Sequence, residues 1–472
     1  MQEKIKEHKG FTLHLDYLIK NGHLVRERNS FKGDVGIADG KIALIGSSID
    51  TQNADRVYDA SGCYVAPGFV DAHTHMQLPV AGTVSSDSFF TGGRAAAWGG
   101  VTSIIDFTTP GPDQDLPAAI EARKEEAEKS PVDYSFHGTL YGYESVKPEQ
   151  ISKAMEMGVT SFKFFTAYGE SNRRTPDGEL VEALQEIGSL DGLAMVHCEN
   201  DEIISNKRDE LGAQGKESIK FHPVSRPDYS ESEAVGKVVH LAEAVGGNLH
   251  LAHLTTEESM EALARGKYSG GSVSGETCPQ YLLLTESVYE EENGHRYAAT
   301  PPLRLDEDRE ALWNAIESGL IDTVATDHCP FKNEQKDGFK GNFLDIPQGL
   351  PGVETLASLL FEEGVTKERI SIDRLVELIS EKPAKRFGLY PRKGSLLVGT
   401  DADLVVFDPE KEKTITTEEL HMDTDFNPYT GKTTRGWPRF VFLRGNPILE
   451  GTEFTGRQSA GEWLKRNKIN TR

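Results

Sequence analysis

Between about residue 66 and residue 390 the chain alternates short β-rich runs with amphipathic stretches, the pattern of parallel strands joined by helical crossovers. Eight such runs can be counted: GFVDAHTH (68–75), TSIIDFT (102–108), YSFHGTL (134–140), SFKFF (161–165), LAMVHCEN (193–200), NLHLAHLT (248–255), SVSGETCP (272–279) and DTVATDHC (322–329). Helical candidates follow them, among them LPAAIEARKEEAEK, EAVGKVVHLAEAVG and EDREALWNAIESG, several closed by a glycine stop. Eight strand–helix units in succession predict an α/β fold, a TIM (β/α)8 barrel. The flanks read differently, because residues 11–65 and 394–449 are strand runs separated by turn pairs such as NG, DG and GN. They predict a small β-sandwich domain built from both chain ends. The expected organisation is sandwich over 1–65, catalytic barrel over 66–390, sandwich again over 391–454, and a polar tail over 455–472 that either frays or grips a neighbouring subunit.

In such a barrel the carboxyl ends of all eight strands converge on one face, where chemistry is placed. His73 and His75 stand two apart at the end of the first run, a spacing that aims both imidazoles the same way. His197 closes run five, His253 run six and Asp327 run eight. Lys163 is the unusual member, a lone ammonium among three phenylalanines on a strand expected to be buried, where an unpaired charge is costly. Other histidines take structural readings: His250, three before His253, is expected on the opposite strand face against a helix, His137 as a hydrogen-bonded core residue, and His328 as facing away from Asp327. Asp71 is expected either to support the ligands or to cap the core, and Cys198 and Cys329 lack a base that would make them nucleophiles.

Charge narrows the partners. Fifty-one basic against 75 acidic residues leave a net −24, which repels phosphate backbones and anionic membranes, so no nucleic acid or membrane partner is expected. The four cysteines form no CxxC pair and read as reduced thiols. The first twenty residues mix charges throughout, and no apolar run approaches the roughly 18 residues of a membrane helix, so a cytoplasmic location is expected.

The ordered set VAPGFVDAHTH, SFKFFTAY, MVHCEN, AHLTT, GETCPQYLLL, TPPLR and ATDHCPF resembles the cyclic amidohydrolases, specifically the dihydropyrimidinase and D-hydantoinase group, over nearly the whole chain. The resemblance implies two divalent metal ions, zinc being well suited to such ligands. It implies His73, His75 and Asp327 on one ion, His197 and His253 on the other, and carbamylated Lys163 bridging them. It further implies that Tyr168 polarises the substrate carbonyl and that the enzyme is a homotetramer. The expected reaction is hydroxide attack on a ring amide of a cyclic ureide, a dihydropyrimidine or 5-substituted hydantoin, to give an N-carbamoyl amino acid, with Asp327 carrying the proton.

At two substrate positions the chain departs from the pattern: Thr300 stands where a serine usually precedes PPLR, and Gln348 where the IPNG loop has asparagine. The added bulk is expected to favour small or flexible substituents. SSDSFF (85–90) and YGYESV (141–146) are expected to shape the substituent pocket, and no cation for a substrate carboxylate is legible near the motifs, which disfavours dihydroorotate. An allantoinase, a non-catalytic relative and a mononuclear deaminase of the same superfamily are the alternatives. The first differs only in pocket contacts, the second would lack ligands, and the third would hold one metal.

Overall fold

The computed structural model describes residues 13–26, 30–111, 114–141, 147–338 and 341–469. All eight predicted runs form strands, and they pair in chain order as one parallel sheet. We number them β1 (Phe69–Thr74), β2 (Val101–Phe107), β3 (Asp133–Thr139), β4 (Ser161–Phe165), β5 (Leu193–His197), β6 (Leu249–Leu251), β7 (Val273–Thr277) and β8 (Thr323–Val324). The ring closes where Thr74 and His328 form a parallel bridge and His75 N–H donates to the His328 carbonyl at 2.8 Å. The outward residues of β4, Phe162 and Phe164, and of β6, Leu249 and Leu251, are fully buried in the layer shared with the helices, which is why these strands read as continuous apolar runs. Two of the helices end on a left-handed glycine, Gly158 (φ 96°) and Gly246 (φ 67°), as their sequence positions require.

Strands from both ends of the chain form a second, nine-stranded sheet. It closes on its own core, in which Ile19, Val35 and Val65 from one end meet Leu404, Val406 and Phe442 from the other. Lys393 joins this sandwich to the barrel: its ammonium lies 2.5 Å from carboxylates of Asp133 and Asp403 and 3.0 Å from Asp401. Three buried carboxylates this close could suggest a cation site, but the lysine already supplies the compensating charge.

Over its described length the end of the chain is not frayed but held against its own barrel. Tyr134 N–H donates to Glu462 and Leu464 N–H returns to Tyr134, at 3.0 and 2.7 Å, while Ile469 N–H donates to Asp191 at 2.8 Å. Leu464 and Ile469 are buried against Phe387, Val70 and Ala72, so this arm closes the amino-terminal end of its own barrel. Two apolar residues five apart in a polar segment are a weak signal, which is why the sequence suggested a loose tail.

Candidate metal centre

His73 lies within β1 and His75 just past it; Lys163 is central in β4, His197 ends β5, and His253 and Asp327 follow β6 and β8. All six line one cavity of about 380 Å³ at the carboxyl face of the barrel, together with Tyr168, Thr300 and Gln348. Nε2 of His73 and Nε2 of His75 lie 3.2 and 3.1 Å from the same oxygen of Asp327. His197 Nδ1 and His253 Nε2 are 3.0 Å apart, and the rings of His73 and His253, 5.6 Å apart, connect the two groups.

Outer partners decide which ring nitrogens are available. Glu276 on β7 accepts from His73 Nδ1 at 2.7 Å, so His73 Nε2 keeps its lone pair. Glu199 does the same to His197 Nε2 at 2.7 Å, leaving Nδ1 free to bind, and Arg226 in turn holds Glu199. His73 Nε2 thus faces the Asp327 carboxylate as acceptor against acceptor. Burial pushes His73, His197 and His253 below the ordinary histidine range, which keeps them neutral, the form that can bind a metal. Neutral imidazoles and an anionic carboxylate crowded with lone pairs inward are a donor set that fits divalent cations.

Lys163 sits between the rings of Phe107 and Phe165, 5.3 and 5.5 Å from their centroids. Among the described residues no carboxylate lies within ion-pair distance of it, and burial pushes its ammonium down to about 8. Tyr168 adopts a left-handed backbone (φ 71°), which aims its ring at His197, 5.0 Å away, and over Arg226 at 5.1 Å. Burial pushes its phenol up to about 12. Gln348 folds back on its own loop, donating to the Ile346 carbonyl at 2.9 Å, with Thr300 Oγ1 3.4 Å from its side-chain oxygen.

Several supporting residues differ from expectation. His250 points into the barrel, not toward a helix: its ring packs on Phe387 at 5.1 Å and bonds Ser274 at 2.7 Å. The parity argument fails because β6 ends at Leu251 and His253 lies beyond it at φ 32°. His137 bonds Ser161 and the Ala72 carbonyl, and His328 bonds Asp87 and accepts from Gly352, so both are structural. Asp71 does not face the cavity; it accepts from Thr326 and from His73 N–H, bracing two ligand-bearing segments across a register shift in the β1–β2 pairing. SSDSFF is not pocket wall either. Ser85 donates to the His75 carbonyl, Asp87 bonds the His328 ring, Ser88 caps a helix, and Leu78, Val80 and Ala81 form the wall instead. Of YGYESV, Tyr141 lines the cavity and 142–146 lie outside the described residues. Burial raises both Cys198 and Cys329, leaving no thiolate beside the ligands.

Glu276, Glu199 and Arg226 were not singled out from sequence. Glu276 carried a signal, an acid inside the buried strand SVSGET that needs a partner, and Glu199 another, two residues after His197. Arg226 carried none.

The sequence profile of the amidohydrolase family matches residues 64–448, a span that contains all six candidate ligands. The chain belongs to the amidohydrolase family. A D-hydantoinase of Geobacillus stearothermophilus is 40% identical to this amidohydrolase over 456 residues, 96% of either chain. A D-phenylhydantoinase of Escherichia coli O1:K1 is 40% identical over 453 residues, 95% of this chain and 98% of the other. The crystal structure of a dihydropyrimidinase from Brevibacillus agri NCHU1002 superposes with a TM-score of 0.94 at 36% identity, covering 96% of this chain and 99% of that one. This amidohydrolase is accordingly an enzyme of the hydantoinase and dihydropyrimidinase type, a cyclic amide hydrolase. Among its described residues no helix is long and apolar enough to cross a membrane.

One buried cation shapes the amidohydrolase's cavity from behind. Lys336 donates to the carbonyls of Arg296, Ala298 and Gly349 at 2.9, 2.9 and 2.7 Å, tying the chain before Thr300 to the chain after Gln348. Burial with no counter-charge pushes it down to about 7. Lys336→Met keeps the volume but strands three carbonyls, so a loss of about 2–4 kcal/mol in thermal stability is expected, with a raised KM. A melt at matched metal content, compared with wild type, checks it.

Proposed function

We propose that this amidohydrolase opens the ring of a cyclic ureide, a 5-monosubstituted hydantoin or dihydrouracil, to the N-carbamoyl amino acid. In this reading His73, His75 and Asp327 hold one divalent ion and His197 and His253 a second, zinc by preference, with Lys163 bridging as its carbamate. The bridge forms when the neutral Lys163 amine adds carbon dioxide, making an N–C bond and releasing one proton. With burial holding the ammonium down to about 8, roughly a tenth of the lysine is neutral at pH 7. A homotetramer goes with this reading on likeness to the group.

Bound there, the metal ions supply Lewis acidity and lower the pKa of a water from about 15.7 toward 7. Asp327 accepts the proton of the attacking water, then returns it to the ring nitrogen as the carbonyl C–N bond breaks. Tyr168, protonated across the working pH range, donates to the carbonyl oxygen as it gains charge. Glu276 and Glu199 keep the tautomers of His73 and His197 fixed throughout.

The observation that carries this reading is His73, whose lone pair is forced onto the Asp327 carboxylate by Glu276 inside a cavity of about 380 Å³. The test is a substrate panel under matched metal loading: dihydrouracil, 5-substituted hydantoins, allantoin and dihydroorotate. Hydantoins or dihydrouracil should lead. A hundredfold lead in kcat/KM for allantoin or dihydroorotate, about 2.7 kcal/mol, would overturn the substrate class and leave the metal ligands standing.

A further inference from the structure

The sequence showed no cation that could meet a substrate carboxylate, and the structure corrects this. Arg173, Arg208 and Arg226 all line the cavity. Two of them are committed: Arg226 to buried Glu199, and Arg208 to Glu170 at 2.7 Å. The neighbouring Arg174 lies 3.5 Å from Asp201. Arg173 alone of the four has no ion-pair partner among the described residues.

Local backbone geometry sets this arginine on the wall of the cavity that holds the candidate ligands. After β4 the chain turns on two left-handed residues, Tyr168 (φ 71°) and Asn172 (φ 55°). The Tyr168 carbonyl accepts from Ser171 N–H at 3.2 Å and from Arg173 N–H at 3.1 Å, closing the turn. Arg173 is thereby set on the cavity wall next to Tyr168. Its guanidinium carbon lies 5.2 Å from the centroid of Tyr141, whose ring is 6.0 Å from Phe165. The aromatic face fixes the guanidinium without neutralising it.

We infer that Arg173 receives a carboxylate on the exocyclic arm of the substrate, so that the preferred cyclic ureides are those that yield N-carbamoyl acidic amino acids. The inference rests on the ring-opening reading above and names its substrate class. An arginine fork matches a carboxylate bidentately, and one already held by a ring loses little freedom on binding it. The net charge of −24 does not oppose this at contact distance, since at physiological salt exposed charges beyond about 8 Å are largely screened.

The test compares 5-(2-carboxyethyl)hydantoin with its near-isostere 5-(2-carbamoylethyl)hydantoin, in wild type, Arg173→Gln and Arg173→Glu, at matched metal content. In wild type the carboxylate should be favoured about tenfold in kcat/KM, mostly through KM, as expected for a half-buried charge-assisted contact. The ratio should fall to about one in Arg173→Gln and invert in Arg173→Glu. Equal kcat/KM for the two compounds in wild type, or a preference that survives in Arg173→Gln, overturns the inference. Dissociation constants for both compounds, measured by calorimetry on the same three proteins, separate it from the reaction assignment. If neither these hydantoins nor dihydrouracil is opened, the ring-opening reading falls, and an Arg173-dependent binding preference for the carboxylate still upholds the contact, whereas equal binding overturns it.

Discussion

Asp327→Asn is expected to fold, to keep its metal and to lose about ten-thousandfold in turnover, the upper end of what a positioned proton carrier contributes. The size follows from the double use proposed for it: one carboxylate would take the proton from water and give it to the departing nitrogen, and an amide can do neither. Retention of the fold follows from the backbone, because Asp327 sits at φ 51°, in the left-handed region that asparagine tolerates better than almost any other residue. Its amide oxygen can still face Nε2 of His73 and His75, now 3.2 and 3.1 Å from the carboxylate. Metal analysis beside steady-state kinetics checks the prediction. Turnover within a few fold of wild type in a fully metallated variant would remove Asp327 from the role of proton carrier and leave it a ligand only.

What could be seen of this site in the sequence, and what could not, divides along a physical line. Strands of a parallel barrel occur in chain order and end on one face, so His73, His75, His197, His253 and Asp327 could be placed together from position alone. Lys163 stood out because an ammonium among phenylalanines on a core strand has no solvent to turn to. The sandwich was legible too, though not through every turn pair: Asp39-Gly40 does turn between two strands, whereas Asn21-Gly22, read as a turn, is a bulge inside the single strand Leu15–Leu24, with Asn21 at φ 63°. Reasoning by alternation broke where strands stop. β6 is only three residues long, and the alternation that places His250 inward says nothing of His253 two residues past its end.

Partnerships formed across the fold were the other blind spot. Glu276 meets His73 across 203 positions and Arg226 meets Glu199 across 27, and neither pairing leaves a local pattern. Arg173 sits in the stretch ESNRRTPDG, which reads as a solvated loop. Only the left-handed turn at Tyr168 brings it onto the cavity wall, and only the pairing of Arg174, Arg208 and Arg226 with carboxylates distinguishes it from them. A charge count over the whole chain, −24, points the opposite way from the charge at this wall. Net charge constrains partners at long range, and a substrate is recognised at contact.

Replacing Lys163 should empty the centre. Wild type loaded with zinc is expected to hold close to two ions per chain, and Lys163→Ala fewer than one, because in the proposed centre a Lys163 carbamate would serve both sites and its loss would leave His197 and His253 as the whole of the second. A collapsed barrel would give the same reading, so Lys163→Met is the companion variant: it preserves the volume of the aliphatic stem between Phe107 and Phe165 and removes only the nitrogen. Removing an unpaired buried amine should leave the metal-free melting temperature of Lys163→Met equal to or above that of wild type. The carbamate itself gives a direct readout: after equilibration with ¹³C-labelled carbon dioxide, wild type should retain one labelled carbon per chain and both variants none. Because the amine must be neutral to react, and burial pushes its pKa down to about 8, label uptake by metal-free protein should quicken as pH rises from 6 toward 8.5. Two ions per chain in Lys163→Met, with no label bound by wild type, would show that the four histidines and Asp327 hold the metals unaided and that Lys163 has no part in the bridge.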